Sequence, residues 1–374
     1  MNIRNLSQLF IFAAVLTTLC SCAGGSPAFV YSEGDTIRFS YSRLITMVRY
    51  DGFTKVEMTN PWDTSRLLAT YILTPKPENY TSLADPAHGV SVVKTPLHNS
   101  LVFSSVHCAL LAEMGKAEAI SGVCDIQYIH TLSHPVTDCG SSMSPNMERI
   151  IQLHPSAMLV SPYENRTGYD RLQQVGIPII ECAEYMEKSA LARAEWVKFY
   201  GELYGAEKES KAIFEEVERN YKQFSALAQK TKERPVIVSE TLYGNVWYQP
   251  GACSSIGCIY QDAGARIAFP EYKQSGSVAL SAEQVFARAH DADVWLMSCN
   301  ETAHPTLAAL KSEAEVYARF KAFKTGNVWA YDTNTSRFFE RSTFHPDGLL
   351  SDIIKICHPN LLTDKPMNYY HQLR

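Results

Sequence analysis

The clearest periodic pattern in the chain lies near its middle, where apolar residues recur at steps of three or four among many charged ones. This spacing places the apolar side chains on one stripe of a helix. The stripe consists of Ile213, Phe214, Val217, Tyr221, Phe224 and Ala228. It predicts a helix over residues 206–230, roughly 37 Å long at about 1.5 Å per residue, preceded by a shorter one from about Ser189. Such a helix is either part of one large domain's surface or a strut that joins two lobes.

Short apolar runs alternate with helical segments on both sides of that region, which predicts a parallel sheet in each flank. The predicted strands are 100–103, 119–123, 157–160 and 177–180 before it, and 235–239, 292–297 and 328–331 after it. Helices are predicted between them, including one that begins at Pro145 with Ser144 as N-cap, and one over 282–289 capped by Ser281. From about Thr36 to Pro75, and again at 89–93, the pattern is that of strands and predicts a small β appendage.

The first residues predict an export signal. Arg4 precedes an apolar run, Leu9 to Leu19, that is too short to span a bilayer permanently. The run ends in Leu19-Cys20-Ser21-Cys22, which resembles the lipobox of bacterial lipoproteins. That resemblance implies cleavage before Cys22 and acyl chains on its thiol, which would hold the protein at the cell envelope, facing the periplasm or the exterior. The alternative is a secretory signal with incidental cysteines.

Composition narrows the function classes. The chain has 374 residues, a formal charge of −5, 46% hydrophobic and 20% charged residues, which is typical of a globular protein. It has no basic run, which argues against a nucleic-acid partner. Cys124 and Cys139, and likewise Cys253 and Cys258, bracket short loops, and whether either pair forms a disulfide stays open. No cysteine or histidine spacing is typical of a zinc site.

Candidate chemistry is confined to binding. The sequence contains no nucleophile elbow, Walker loop, dinucleotide fingerprint or His-Glu-x-x-His, so no enzyme is predicted. Aromatic and arginine side chains gather at predicted strand ends and would line an apolar cleft suited to a large planar or chelate ligand. These candidates are Tyr163, Tyr243, Trp247, Tyr248, Arg337, Phe338 and Phe339, with His107 at a strand-to-helix junction. The alternative for each is a packing role, and for His107 a ring bonded to nearby backbone.

Five segments carry a resemblance to the class III solute-binding proteins of ABC importers, the group that binds cobalamin, ferric siderophores and haem. Residues 146–160 resemble the family's N-x-E-x-I-x-x-L-x-P-D-L-V, with Ser156 where aspartate is usual. Residues 172–178 resemble L-x-x-x-G-I-P, and residues 281–286 resemble S-x-E-x-(V/L)-(L/F). Residues 344–350 and 356–359 resemble the C-terminal R-P-D-x-x-L and I-L-H-P. The resemblance extends from about residue 98 to residue 360.

The resemblance implies an α/β fold of two Rossmann-like lobes with parallel sheets, joined by a long helix, to which the small N-terminal β appendage is added. The expected parts are a signal peptide (1–21), a tether and β appendage (22–97), an N-terminal lobe (98–188), a helical strut (189–231) and a C-terminal lobe (232–374).

The implied function is that of a lipid-anchored receptor, expected to be a monomer without a cofactor or metal of its own. It would bind an iron–siderophore, haem or cobalamin and deliver it to an ABC permease with ATPase subunits. In this family one glutamate on each lobe docks on the permease. Glu283 matches the C-lobe position, and Glu164 is the nearest carboxylate after the strand at Val160. The alternative for Glu283 is a first-turn carboxylate favoured by the helix dipole.

Three other functions stay open at this point. A free zinc or manganese receptor would need three histidines and a carboxylate around one ion, and the histidines are scattered. A hydrolase or cofactor-assembly enzyme on a nitrogenase-like two-lobe fold would need a polar catalytic cluster. A structural surface lipoprotein would use the β appendage.

Overall fold

The N-terminal strands form one sheet, which we call the appendage. In the computed structural model the described residues are 33–162, 172, 174–299, 306–333 and 335–374. The appendage consists of β1 (Asp35–Ile37), β2 (Ile45–Tyr50), β3 (Phe53–Thr59), β4 (Leu67–Thr74) and β5 (Val90–Lys94). The first four strands pair antiparallel in chain order, and β5 joins β4 in parallel. Val56 and Met58 alternate with more exposed neighbours on β3 and are fully buried, so one face of the sheet is covered.

The N-terminal lobe is built on a five-stranded parallel sheet in the order β12-β11-β6-β7-β8. Its elements in chain order are β6 (Ser100–Val102), α1 (Ser105–Glu113), β7 (Ile120–Val123), β8 (Thr137–Asp138), the small hairpin β9 (Gly140–Ser141) and β10 (Ser144–Pro145), α2 (Met147–Leu153), β11 (Ala157–Val160) and β12 (Ile179–Glu181).

The predicted N-cap of α2 is wrong by two residues. Asn146 caps it through a side chain that accepts from Arg149 N, because Ser144 and Pro145 are held in the hairpin.

Three helices connect the lobes: α3 (Ala190–Glu195), α4 (Val197–Tyr204) and α5 (Glu207–Ala228). The 22 residues of α5 give a length of about 33 Å, and the predicted apolar stripe faces inward. Near its start Ser210 packs on Gly201 of α4, so closely that a Cβ at Gly201 would lie 2.2 Å from Ser210 Oγ. Further along, Tyr221 Oη donates to Asp262 Oδ2 in the C-terminal lobe at 2.7 Å. Helix α5 therefore contacts α4 near its first turn and the C-terminal lobe near its last turns.

The C-terminal lobe has a five-stranded sheet in the order β16-β13-β18-β19-β20, parallel except for the last strand. Its elements are β13 (Val236–Ser239), β14 (Leu242–Tyr243), β15 (Val246–Pro250), α6 (Ser255–Asp262), β16 (Arg266–Ile267), β17 (Ser277–Leu280), α7 (Ala282–Ala289), β18 (Val294–Cys299), α8 (Leu307–Glu313), α9 (Lys321–Lys324), β19 (Val328–Asp332), α10 (Phe338–Arg341), α11 (Pro346–Cys357) and β20 (His371–Gln372). Strands β14, β15 and β17 form a separate antiparallel sheet that the sequence pattern does not predict.

Buried carboxylates fasten the appendage to the connecting helices. Glu195 at the end of α3 has a fully buried side chain and accepts from three successive backbone N–H groups, those of residues 40–42, at 2.8, 2.8 and 3.0 Å. Glu187 accepts from the N–H groups of Arg43 and Leu44 at 2.9 and 3.0 Å, and from Trp196 Nε1 at 3.1 Å. Burial raises the pKa of Glu187, and these donors oppose that rise. The appendage is therefore an integral part of the first lobe and its helices.

The predicted fold class is confirmed: two α/β lobes with parallel sheets, a long connecting helix and an N-terminal β appendage. One hydrophobic cluster runs from the appendage through the N-terminal lobe and the helices into the second lobe. The eight described cysteines, Cys124, Cys139, Cys253 and Cys258 among them, have free thiols. Among the described helices none is both long and apolar enough to cross a bilayer.

Candidate functional site: an interlobe cleft

The carboxyl ends of the two parallel sheets face each other. Glu340, in α10 just after β19, accepts from His130 N at 3.0 Å and from Thr131 Oγ1 at 2.8 Å, in the segment that follows β7. Arg337 donates to Glu340 Oε2 at 2.7 Å and to Thr131 Oγ1 at 2.6 Å. We call these four residues the lobe bridge. Burial alone would raise the pKa of Glu340, but Arg337 and the donors from the other lobe lower it. Open α/β sheets bind ligands at the carboxyl ends of their strands, so the space beside the bridge is the candidate site.

Large apolar side chains are exposed mainly around these strand ends. Single exposed hydrophobic residues are ordinary, but a concentration of them marks a binding surface. Within the described part of the chain, those at the strand ends are Ile126, Tyr128, Met143, Tyr185, Tyr243 and Phe339. They come from both lobes, which is what a cleft with two apolar walls requires.

A small pocket opens among the strand ends of the N-terminal lobe. It encloses about 250 Å³. Its wall is rich in hydroxyl groups and consists of Phe103, Ser104, Ser105, Cys124, Asp125, Tyr128, Ser142 and Ser161. These residues follow β6, β7 and β11 or lie in the β9–β10 turn, so three strand-end loops and one hairpin turn form the pocket. Ser104 also caps α1, through a side-chain oxygen that accepts from Val106 N.

Both lobes carry a carboxylate on a left-handed residue within two positions of the end of an interior strand of the parallel sheet. Asp125 follows β7 by one residue with φ of 50°, and Glu240 follows β13 with φ of 57°. Asp125 Oδ2 accepts from the N–H and hydroxyl of Ser142, and Glu240 Oε2 accepts from the N–H and hydroxyl of Ser298. The Glu240 carbonyl also receives two indole N–H groups, from Trp247 and Trp295. Non-glycine residues with this backbone conformation concentrate at binding sites, where the surrounding structure holds them in place.

Four of the predicted ligand-contacting residues lie outside the core. Tyr243 is 82% and Phe339 52% exposed, and both lie near strand ends of the C-terminal lobe. Tyr248 is exposed on β15, away from the ends of the parallel sheet. Arg337 is partly exposed, but its guanidinium is engaged in the lobe bridge. Tyr163 lies outside the described residues.

The prediction that Trp247 and Phe338 line a cleft is wrong. Trp247 is fully buried, packs on Trp295, Tyr317 and Phe320, and donates to the carbonyls of Ser239 and Glu240. It is buried because β15 pairs with β17, which turns this side chain into the lobe. Phe338 is buried, and its ring stacks on that of Tyr331 with 3.9 Å between the ring centroids. Of the two adjacent phenylalanines, only Phe339 faces solvent.

His107 is not a cleft residue either. It is 1% exposed, and its Nε2 lies 3.0 Å from Glu184 Oε1 and 2.9 Å from Tyr200 Oη, because the first turn of α1 faces α4. Tyr200 in turn donates to Glu184 Oε2 at 2.9 Å. Burial alone would lower the pKa of His107, but Cys182 and Glu184 beside it raise that pKa to about 10. His107 therefore has a packing role, and its ring bonds to side chains, whereas the sequence suggested backbone partners.

The predicted docking and anchoring residues fall in different parts of the molecule. Glu283 is exposed in the first turn of α7, where Ser281 and Gln284 form a capping box. The N–H of Glu283 and the Ser281 side chain lower the pKa of this carboxyl. Glu164 and Cys22 lie outside the described residues.

Sequence reasoning missed the walls of the N-lobe pocket, including Tyr128, Asp125 and Ser142, and it missed Glu240. One signal could have found the first three. The connection from β7 to α2 is long and contains only short strands and a short 3₁₀ turn, and connections longer than about 12–15 residues are usually functional.

The arrangement is suited to holding a ligand. Exposed rings offer flat contact area, and serine hydroxyl groups offer hydrogen bonds. Among the described residues no group of three or more histidine, cysteine, aspartate or glutamate side chains could hold a metal ion.

Comparisons with known proteins agree with this fold. A sequence profile described as periplasmic binding protein matches residues 103–335. An uncharacterized lipoprotein of Methanocaldococcus jannaschii is 28% identical over 297 residues, which cover 75% of this chain and 69% of the relative. The iron-uptake system-binding protein of Bacillus subtilis is 22% identical over 195 residues, or 51% of this chain and 59% of the relative.

Among solved structures, the periplasmic vitamin B12 binding protein of Vibrio cholerae has a TM-score of 0.55 at 12% identity. The match covers 70% of this chain and 97% of that one. The appendage lies before the residues that the profile matches, whereas the parallel sheets, the connecting helices and the facing strand ends lie largely within them. The chain belongs to the periplasmic binding protein family.

Proposed function

We propose that the protein is the lipid-anchored receptor of an ABC importer, and that it binds an iron–siderophore, haem or corrinoid between its lobes and delivers it to the permease. The observation that carries the proposal is the concentration of exposed aromatic side chains where the two sheets face each other. Flat apolar walls suit a large planar or chelate ligand. The names of the relatives, which mention iron uptake and vitamin B12, support the same ligand class.

The connecting helices support a small opening motion. Helix α5 is packed on α4 at one end and on the second lobe at the other. The lobes also touch through the lobe bridge and through His345 Nε2, which lies 2.7 Å from Glu113 Oε2. Large hinge closures need a short flexible connection between bodies, and three packed helices do not provide one. We therefore expect the lobes to rock by a few degrees around a bound ligand.

The direct test is a binding screen. Isothermal titration of the purified full-length chain with haem, cobalamin and a panel of ferric siderophores should give at least one dissociation constant of about 1 µM or better, equivalent to about 8 kcal/mol. An independent check is the absorption spectrum of the protein as purified, because these ligands are coloured. Failure of every compound to bind would contradict the receptor function.

Anchoring through Cys22 is tested separately. Cys22→Ser removes the thiol that would be acylated, so we expect the protein to move from the membrane fraction to the soluble fraction, because each buried CH₂ of an acyl chain contributes about 0.8 kcal/mol. Cys20→Ser is the matched control and should leave the protein at the membrane. Fractionation followed by immunoblotting measures both. Membrane retention of Cys22→Ser would contradict lipidation at this residue.

A further inference from the structure

Two of the loops that follow strand ends at the candidate site carry carboxylates and neither lysine nor arginine. Residues 124–145 and 239–246, which follow β7 and β13, contain no lysine or arginine, while they include Asp125, Asp138 and Glu240. Carboxylates at a binding site raise the local concentration of cationic ligands and repel anionic ones.

Two arginines near these loops, within the described part of the chain, are already engaged. Arg337 is paired with Glu340 in the lobe bridge, and Arg149 Nη1 donates to the carbonyl of Asp138 at 2.7 Å. Asp125 and Glu240 form no salt bridge within the described residues, and each accepts from a serine. Both are half-buried, so their charge is screened less than that of a fully solvated carboxylate.

The remaining wall groups favour uncharged or positively charged partners. The hydroxyl groups of Ser104, Ser105 and Ser161 can donate to, or accept from, neutral amide and hydroxamate groups. The exposed rings of Tyr128 and Tyr243 can pack on a neutral ligand, and their faces attract cations.

We propose that the cleft takes a neutral or cationic metal chelate and discriminates against anionic ones. This inference rests on the proposed receptor function and adds the charge of its ligand. An anionic chelate between the lobes would approach two carboxylates that have no cationic partner in the described structure, and such like-charge contacts are a usual means of rejecting wrong partners.

A series of ferric chelates that differ in charge tests the proposal. Ferrioxamine B is cationic, ferrichrome is neutral and ferric enterobactin is anionic, and each is titrated calorimetrically into the full-length chain at low and high salt. We expect ferrioxamine B, ferrichrome or both to bind at least about tenfold more tightly than the anionic chelate. Salt should narrow that difference, because it screens the carboxylates.

Two variants connect the preference to the residues. Asp125→Asn and Glu240→Gln keep the shape and one acceptor oxygen but remove the charge. Each should weaken binding of the cationic chelate about tenfold and change binding of the neutral one by less than about threefold. Glu209→Gln, at an exposed site on α5, changes the net charge equally and should alter neither. Circular dichroism checks that the variants fold.

The outcomes separate this inference from the receptor function. Tightest binding of ferric enterobactin or haem overturns the charge preference and leaves the receptor function in place. The charge preference is also overturned if Asp125→Asn and Glu240→Gln weaken the binding of all chelates equally. The two side chains would then contribute to the shape of the site and not to its selectivity for charge. Absence of binding by every chelate, haem and cobalamin overturns the receptor function itself and this inference with it.

Discussion

Replacing Glu195 with alanine is expected to lower the free energy of unfolding by about 3–5 kcal/mol, because the change removes a buried carboxylate and leaves one buried and two partly buried donors without their acceptor. Three N–H groups of the appendage, those of residues 40–42, donate to this one carboxylate. Lys198 Nζ, 2.8 Å from Glu195 Oε1, would also lose its ion-pair partner and keep only its hydrogen bond to the Arg38 carbonyl. Urea denaturation followed by circular dichroism measures the change.

Glu215→Ala is the matched control for that experiment. Glu215 is exposed on α5 and lies 3.7 Å from Lys211 one turn away, an arrangement that contributes less than about 0.5 kcal/mol. If Glu195→Ala costs less than about 1 kcal/mol, the appendage is not held by this carboxylate. Limited proteolysis adds a local readout, since the variant should be cut first within residues 33–94.

Reversing the charge at Glu283 is expected to abolish transport while ligand affinity stays within about twofold of the unaltered protein. The side chain is exposed in the first turn of α7, so Glu283→Arg disturbs no core contact. If this glutamate pairs with a basic pocket of the permease, arginine replaces an attraction by a repulsion, which costs several kcal/mol at a contact. Uptake of labelled ligand by cells and calorimetric binding are the two measurements.

Glu209→Arg makes the same charge change on an exposed helical site of α5 and should transport normally. Loss of ligand binding by Glu283→Arg would refute a pure docking role. Normal uptake by that variant would show that the permease does not contact this residue. The second docking carboxylate, predicted at Glu164, can be tested in the same way, with Glu164→Arg alone and with Glu164→Arg combined with Glu283→Arg.

The sequence predicts most elements of this fold because their signals are local. Short apolar runs, such as residues 157–160 and 328–331, correspond to the parallel strands, and the three-to-four spacing from Ile213 to Ala228 corresponds to α5. The capping of α7 by Ser281 is also local, since serine followed by glutamine three residues later satisfies two backbone N–H groups. Boundaries shift only by one or two residues, as helix ends generally do.

The candidate site is less predictable because side-chain direction depends on pairing that is distant in sequence. Trp247 and Tyr248 are adjacent and both aromatic, yet one is in the core and the other is exposed. The pairing of β15 with β17, about 30 residues later, decides which is which. Likewise, Glu340 is only three residues from Arg337, but nothing nearby in the sequence indicates that Thr131, 206 residues away, also engages this arginine.

The hydrogen bonds from the appendage to Glu195 also determine the order in which parts of the protein fold. Ser40 and its acceptor Glu195 are 155 residues apart in the chain. A polypeptide that emerges from the ribosome or a translocon with its N-terminus first presents β1 to β5 while α3 does not yet exist. During that interval the N–H groups of residues 40–42 lack their acceptor, and Val56 and Met58 lack the surface that buries them. Contacts this distant in sequence form slowly, because a long loop must close first. The part of the protein that is synthesised earliest is therefore among the last to be completed.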